Sequence, residues 1–252
     1  MKIIIIGTGN VATVLGKKIR LAGHQVLRVY GRTEAHARQL GDLLGAEGRP
    51  LEKTIDPNAD LYIVAISDRA LPELHHTVKL QEQLIVHTAG SVSREALKHC
   101  SSNYGVLYPL QSLRKELDPQ TEIPLLTDAN REAGRAQLRD FARTLSASTQ
   151  EATDEQRGKL HVAAVFSSNF TNHLYALTAR YCKEEQLDFR LLLPLIRETA
   201  GRIRHYPPSA LQTGPAIRGD EPTLQRHLDL LNEHPALKQL YLVLTESIQE
   251  NG

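Results

Sequence analysis

The sequence predicts an α/β fold, a doubly wound and mostly parallel sheet followed by a smaller all-helical domain. Three observations predict it. Short β-branched or apolar runs alternate with helical stretches from Lys2 to about Thr127, the first run breaks into a glycine turn at Gly7-Thr8-Gly9, and strand signals stop after Ala129.

The apolar runs are Ile3 to Ile6, Val26 to Tyr30, Leu61 to Ile66, Leu84 to Thr88, Gly105 to Tyr108 and Ile123 to Leu126. Between the first two lies Val11 to Ala22, where Val11, Leu15, Ile19 and Leu21 recur near helical spacing and complete a βαβ unit. Gly7-Thr8-Gly9-Asn10-Val11-Ala12 then fits GxGxxG/A directly after a strand and before a helix. That is the Rossmann fingerprint. Gly7 permits the tight turn, Gly9 leaves room for a pyrophosphate, and Ala12 lets helix and strand pack closely. Free N–H groups and the helix dipole face the anion.

An acid at the end of the second strand would grip the ribose 2′-hydroxyl of NAD. Here the chain reads Val29-Tyr30-Gly31-Arg32-Thr33, with no acid at the tip. Arg32 instead suits a 2′-phosphate, with Thr33 adding a hydroxyl; the lesser alternative is a solvated surface Arg, with Glu34 nearby. Hydrogen bonds to charged groups are worth about 1.5–3 kcal/mol, a preference for NADP on the order of ten- to a hundredfold. Later strand ends should line the rest of the crevice: Ala65-Ile66-Ser67, then Thr88-Ala89 after His87. His87 is either a catalytic acid or a histidine held by ordinary hydrogen bonds.

The chain has 252 residues, enough for two domains, and the polar stretch SASTQEATD (146–154) marks the expected division. Residues 1–150 then form the NADP-binding domain and 151–252 a helical substrate and dimerisation domain. With 30 basic and 29 acidic residues, no strong field draws the chain to nucleic acid or an anionic membrane. A small-molecule substrate is favoured. Cys100 and Cys182 lack CxxC spacing, which argues against disulfides or a metal site and fits a reducing compartment. The apolar start is too short for a signal peptide, so the expected location is cytoplasmic.

Residues 160–179 contain no Asp, Glu, Lys or Arg. Polar residues such as His161, Ser168 and Asn172 would be costly in lipid, so a central helix is expected, buried by its own domain or by a second subunit. At regular helical period His161, Ala164, Val165, Ser168 and Asn172 share a small, uncharged face, with Asn169 on its shoulder. That face suits either a substrate cleft or a buried polar network in a dimer. Further on, Asp220 suits a helix N-cap and Pro222 an early helical position, while Arg218 either pairs with Asp220 or holds an anion.

The pieces IIIIGTGNVA, VYGRT, HTAGS, YPLQS (108–112), KLHVAAVFSSNFTNHL and TGPAIRGDEPT, followed by His227, cover nearly the whole chain. In that order they resemble Rossmann-like proteins with a C-terminal domain of unknown function, described as NADP oxidoreductases. The N-terminal halves of these proteins are related to deazaflavin-dependent NADP reductases. The resemblance implies a helical domain similar to those of 6-phosphogluconate dehydrogenase and pyrroline-5-carboxylate reductase relatives, and a homodimer through that domain. It supplies no substrate. Relatives among the β-hydroxyacid dehydrogenases use a Lys and an Asn one helical turn apart, whereas Lys159 and Asn169 are farther apart on different faces.

The leading expectation is an NADP-dependent oxidoreductase acting on a small carbonyl, imine or hydroxy compound in a cleft between the domains. His161 is the candidate proton donor, with Ser168 and Asn169 orienting the substrate. The rival is a non-catalytic NADP-binding sensor or regulatory dimer, and a third reading passes hydride to a flavin-like cofactor.

Overall fold

The computed structural model describes residues 1–52 and 55–251. The chain divides into two compact units, Met1–Asn169 and Phe170–Gly252. The contact division therefore falls beyond the composition break at residues 146–154.

The first unit is built on an eight-stranded sheet in the order β3-β2-β1-β4-β5-β6-β7-β8. Its strands are β1 (Lys2–Ile6), β2 (Gln25–Gly31), β3 (Glu47–Pro50), β4 (Leu61–Val64), β5 (Leu84–His87), β6 (Tyr104–Pro109), β7 (Leu125–Ala129) and β8 (Thr149–Glu151). Among the described residues only the β6–β7 pair is antiparallel. The doubly wound, mostly parallel Rossmann sheet expected from the alternating runs is present.

The four isoleucines of β1 explain its central place. Ile3 and Ile5 enter the core on one face of the sheet, Ile4 and Ile6 the core on the other, and all four are fully buried. Alternation along a strand places successive side chains on opposite faces, so only a strand covered on both sides wants an unbroken apolar run. Burying each isoleucine contributes about 1.5–3 kcal/mol relative to leaving it exposed. Helix α1 (Asn10–Leu21) presents Ala12, Leu15 and Ile19 to the first of these cores, and Leu21, expected on that stripe, is 61 % exposed.

Helices α2 (Glu34–Leu44) and α3 (Glu132–Leu145) make the β2–β3 and β7–β8 crossovers. Strands β3 and β8 carry no run of apolar residues and sit at the two edges of the sheet. Helix α4 (Asp154–Ala164) starts in a capping box made by Thr153 and Gln156. Beyond it Val165–Phe170 winds as a π-helical turn, continued by α5 (Thr171–Glu184).

The second unit contains α5, α6 (Leu193–Arg202), α7 (Glu221–Leu230) and α8 (Pro235–Asn251). Asp220 caps α7 by accepting from the Thr223 N–H, with Pro222 in the first turn, as the sequence suggests. No helix among the described residues is long and apolar enough to cross a membrane.

The uncharged stretch differs from expectation in one respect. Val162, Phe166 and Phe170 are 57, 65 and 50 % exposed, so the chain by itself does not bury this helix. Burial by its own domain, one of the two readings of its composition, is corrected.

Candidate functional site

Register across the sheet assembles the site. Ile6 of β1 pairs with Tyr30 of β2 and Val64 of β4, and Val64 pairs with His87 of β5. The residues that follow these four are thus brought to one edge, at the carboxyl ends of parallel strands where the strand order reverses about β1. Backbone bonds hold the edge together: Gly7 N–H donates to Tyr30 O at 2.7 Å, Ala65 N–H to Ile6 O at 2.7 Å, and Thr88 N–H to Val64 O at 3.1 Å.

A cavity of about 650 Å³ opens there. That lies within the usual range for small-molecule sites, roughly 300–1,000 Å³. Gly7, Thr8, Gly9, Asn10 and Val11 line it after β1, and Gly31, Arg32 and Thr33 line it at the end of β2. Ala65, Ile66 and Ser67 contribute after β4, Thr88 and Ala89 after β5. The sequence-predicted strand ends therefore converge on one space.

Gly7 has φ +126°, a backbone conformation that favours glycine. Gly9 caps α1 with no side-chain hydrogen bond, and no acidic residue occupies the first turn. A Cβ on Gly9 would meet nothing within 4 Å. Orphan N–H groups, a positive dipole end and open space beside the backbone are what a pyrophosphate requires. The Glu34 that stood beside Arg32 in the sequence is turned to Arg38 at 2.5 Å, and among the described residues Arg32 forms no ion pair. His36, in the first turn of α2, lines the cavity as well. The sequence reading missed it, although its place one helical turn after Arg32 was a usable signal.

His161, Ser168 and Asn169 do not line this cavity. His161 instead stands beside Gly90, the residue after Ala89, where a Cβ would lie 2.6 Å from His161 Nδ1 and 2.9 Å from Tyr108 Cζ. Tyr108 Oη and His161 Nδ1 are 2.9 Å apart, and the rings meet edge-on with centroids 5.9 Å apart. Ser168 and Asn169 fall in the π turn, so the shared face computed at a regular 3.6-residue period does not carry through to them. Lys159 is on the surface, paired with Glu155.

Beneath the segment from Gly90 to Ser93 lies Arg157, 1 % exposed. Its Nε donates to Gly90 O at 3.2 Å and its Nη2 to Asp154 at 2.7 Å. Asp154 also accepts from the Ser93 hydroxyl at 2.5 Å, which ties the segment to the first turn of α4. Nothing in the sequence marks Arg157 as buried, because a charged residue in a polar helical turn reads as solvated. His87 is fully buried, with Nε2 3.2 Å from Ser93 O and Nδ1 accepting from the Ala89 N–H. Burial, then the nearby Arg157 charge, push its pKa down to about 4. Burial keeps it neutral and hydrogen bonds fix its place, the structural one of its two readings. Among the described residues no group of His, Cys, Asp or Glu is arranged to hold a metal ion.

Comparison with known proteins agrees with this architecture. Residues 2–90 match the family described as NADP oxidoreductase coenzyme F420-dependent, and residues 123–248 match Domain of unknown function (DUF2520). An NADP oxidoreductase by provisional assignment, from Bacteroides fragilis, is 42 % identical with a TM-score of 0.91, over 99 % of this chain and 98 % of that one. A 1-pyrroline-5-carboxylate reductase from Streptococcus pyogenes shares the fold at 15 % identity and TM-score 0.67, covering 99 % and 98 % of the two chains. An imine reductase from Myxococcus stipitatus in complex with NADP⁺ does so at 16 % and 0.62, covering 99 % and 93 %. No curated protein matches the chain. The chain belongs to the family of NADP-oxidoreductase-like proteins in which a Rossmann domain is followed by DUF2520.

Proposed function

We propose that the protein is an NADP-dependent oxidoreductase that exchanges hydride between NADP(H) and a small carbonyl, imine or hydroxy compound. The observation that carries this reading is the single cavity onto which the glycine turn, Arg32 and Thr33, and the ends of β4 and β5 converge. Gly7 to Val11 and the α1 N-terminus hold the pyrophosphate. Gly31, Arg32 and Thr33 hold the 2′-phosphate end, where the guanidinium offers charge-assisted bonds. Ala65, Ile66, Ser67, Thr88 and Ala89 offer small or polar surfaces to the rest of the cofactor.

NADP(H), when bound, supplies the hydride; the protein supplies position and a proton. His161 is the proton donor, and the polar side chains of the π turn that follows it, Ser168 and Asn169, are the candidates for orienting the substrate once it is bound. The relatives named for imine and pyrroline-5-carboxylate reduction favour substrates with a carbon–nitrogen or carbon–oxygen double bond.

The protein acts as a homodimer through its helical unit. Leu191, Leu195, Ile203, Leu230 and Val243 are each more than half exposed in the single chain. Exposed apolar side chains in this number call for a cover where they adjoin, and a second copy supplies one with the same composition. Two free, buried cysteines support a cytoplasmic location.

The test is NADPH oxidation against a panel of small aldehydes, ketones and cyclic imines. Turnover of one class, lost in His161→Ala with cofactor affinity retained, supports the reading. Tight NADPH binding with no turnover of any class favours the sensor instead.

A further inference from the structure

Tyr108 has no task in the reading above, yet it is the residue that His161 touches. It stands in β6, 8 % exposed, and its hydroxyl lies 2.9 Å from His161 Nδ1. A neutral imidazole carries one N–H, and which nitrogen bears it is set by the bond the other makes. Among the described residues the Tyr108 hydroxyl has no other hydrogen-bond partner, and an O–H that donates to Nδ1 puts the proton of His161 on Nε2.

A neutral histidine that surrendered its Nε2 proton alone would become imidazolate, a strongly disfavoured species. Arg157 lessens the difficulty. Its guanidinium is buried and its Nη1 has no hydrogen-bond partner among the described residues. Its Nε donates to the carbonyl of Gly90, the residue against which the Tyr108 and His161 rings both pack.

We propose that Tyr108, His161 and Arg157 form a proton relay, an inference that rests on the oxidoreductase reading. As the carbonyl or imine carbon accepts hydride, the His161 Nε2 proton passes to the substrate oxygen or nitrogen. The Tyr108 hydroxyl proton moves onto Nδ1 in the same event. The bonds broken are Nε2–H and Oη–H; those formed are O–H or N–H on the product and Nδ1–H on His161. The electron pair left on Tyr108 is held as tyrosinate by the Arg157 charge, and water returns the proton after product leaves. His161 is thus the catalytic residue, while Tyr108 and Arg157 are positioning residues that act through it.

The surroundings disfavour the tyrosinate on balance, and Arg157 is the group that lessens this cost. Burial pushes the Tyr108 pKa up, Arg157 draws it back, and Asp68, at the end of the loop after β4, raises it again. The remaining titratable groups nearby are His87 on β5, held neutral, and Asp154 on α4, paired with Arg157.

The experiment uses the full chain labelled with ¹⁵N-histidine. Long-range proton–nitrogen NMR at pH 8 reads which ring nitrogen of His161 is protonated, the signal being assigned by its loss in His161→Gln. The relay predicts Nε2–H in the wild type and loss of that single tautomer in Tyr108→Phe. An Nδ1–H wild type overturns it without any need for turnover. With the carbonyl or imine that oxidises NADPH, Tyr108→Phe should lower kcat about 10²–10⁴-fold while NADPH affinity stays unchanged. The proton inventory in mixed light and heavy water should bow for wild type and become linear in Tyr108→Phe, and Arg157→Lys should retain the bow. Turnover with a linear wild-type inventory overturns the relay and leaves the oxidoreductase reading intact. NADPH binding without turnover of any carbonyl or imine overturns both.

Discussion

A Cβ on Gly7 would fall 2.0 Å from the carbonyl oxygen of Ala65. The chain just past β1 thus runs hard against the chain just past β4 where the cavity begins, and Gly9, two residues on, faces open space. Substitutions at these glycines should separate folding from binding. Gly7→Ala, at φ +126° and against backbone, should destabilise by more than about 1 kcal/mol. Gly9→Ser adopts the existing N-cap backbone without a clash and supplies a better cap, so stability should hold while NADPH affinity falls. Denaturant unfolding and NADPH titration of both variants check the contrast.

Arg32→Ala should cost NADPH about 1.5–3 kcal/mol of binding, or on the order of ten- to a hundredfold. NADH affinity should stay as it is. The ratio of the two dissociation constants, compared with wild type, is the readout.

The origin of these expectations shows what the sequence could convey. Ile3 to Ile6 and the glycine turn declared both the central strand and the crevice, because an apolar run and a GxGxx spacing each answer to one local requirement. Edge strands β3 and β8 were illegible since pairing, not side-chain pattern, makes them strands. Tyr108 and Arg157 were hidden for a different reason. Their meaning depends on burial and on partners 53 and 67 positions away, His161 and Gly90. The face drawn through Ser168 assumed a regular period that the turn Val165–Phe170 breaks.

His87 predicts a pH dependence of stability. Its folded pKa of about 4 lies below the ordinary 6.5, so the unfolded chain takes up the proton first as pH falls. Stability that is full above pH 6.5 should decline between 6.5 and 4, by a contribution on the order of 3 kcal/mol. His87→Asn should be less stable at pH 7 yet lose less on acidification. Unfolding free energies of both proteins at pH 7 and pH 4.5 measure the difference in slope, and parallel curves would contradict the assignment.

Dimerisation makes its own prediction. Leu195→Glu and Val243→Glu alter side chains that are 61 and 56 % exposed in the single chain. A monomer should tolerate them within about 0.5 kcal/mol. In the proposed dimer they would place charge in its interface, so the native chain should scatter light as twice the mass of one chain and the variants as one.

The central claim is tested most directly by calorimetric titration of the purified protein with NADPH, NADP⁺, NADH and NAD⁺. Tight binding of the phosphorylated pair, at least tenfold over the other two in line with the contribution of Arg32, is the predicted result. Failure of all four to bind, or equal binding of all four, would contradict the account of the cavity and of Arg32.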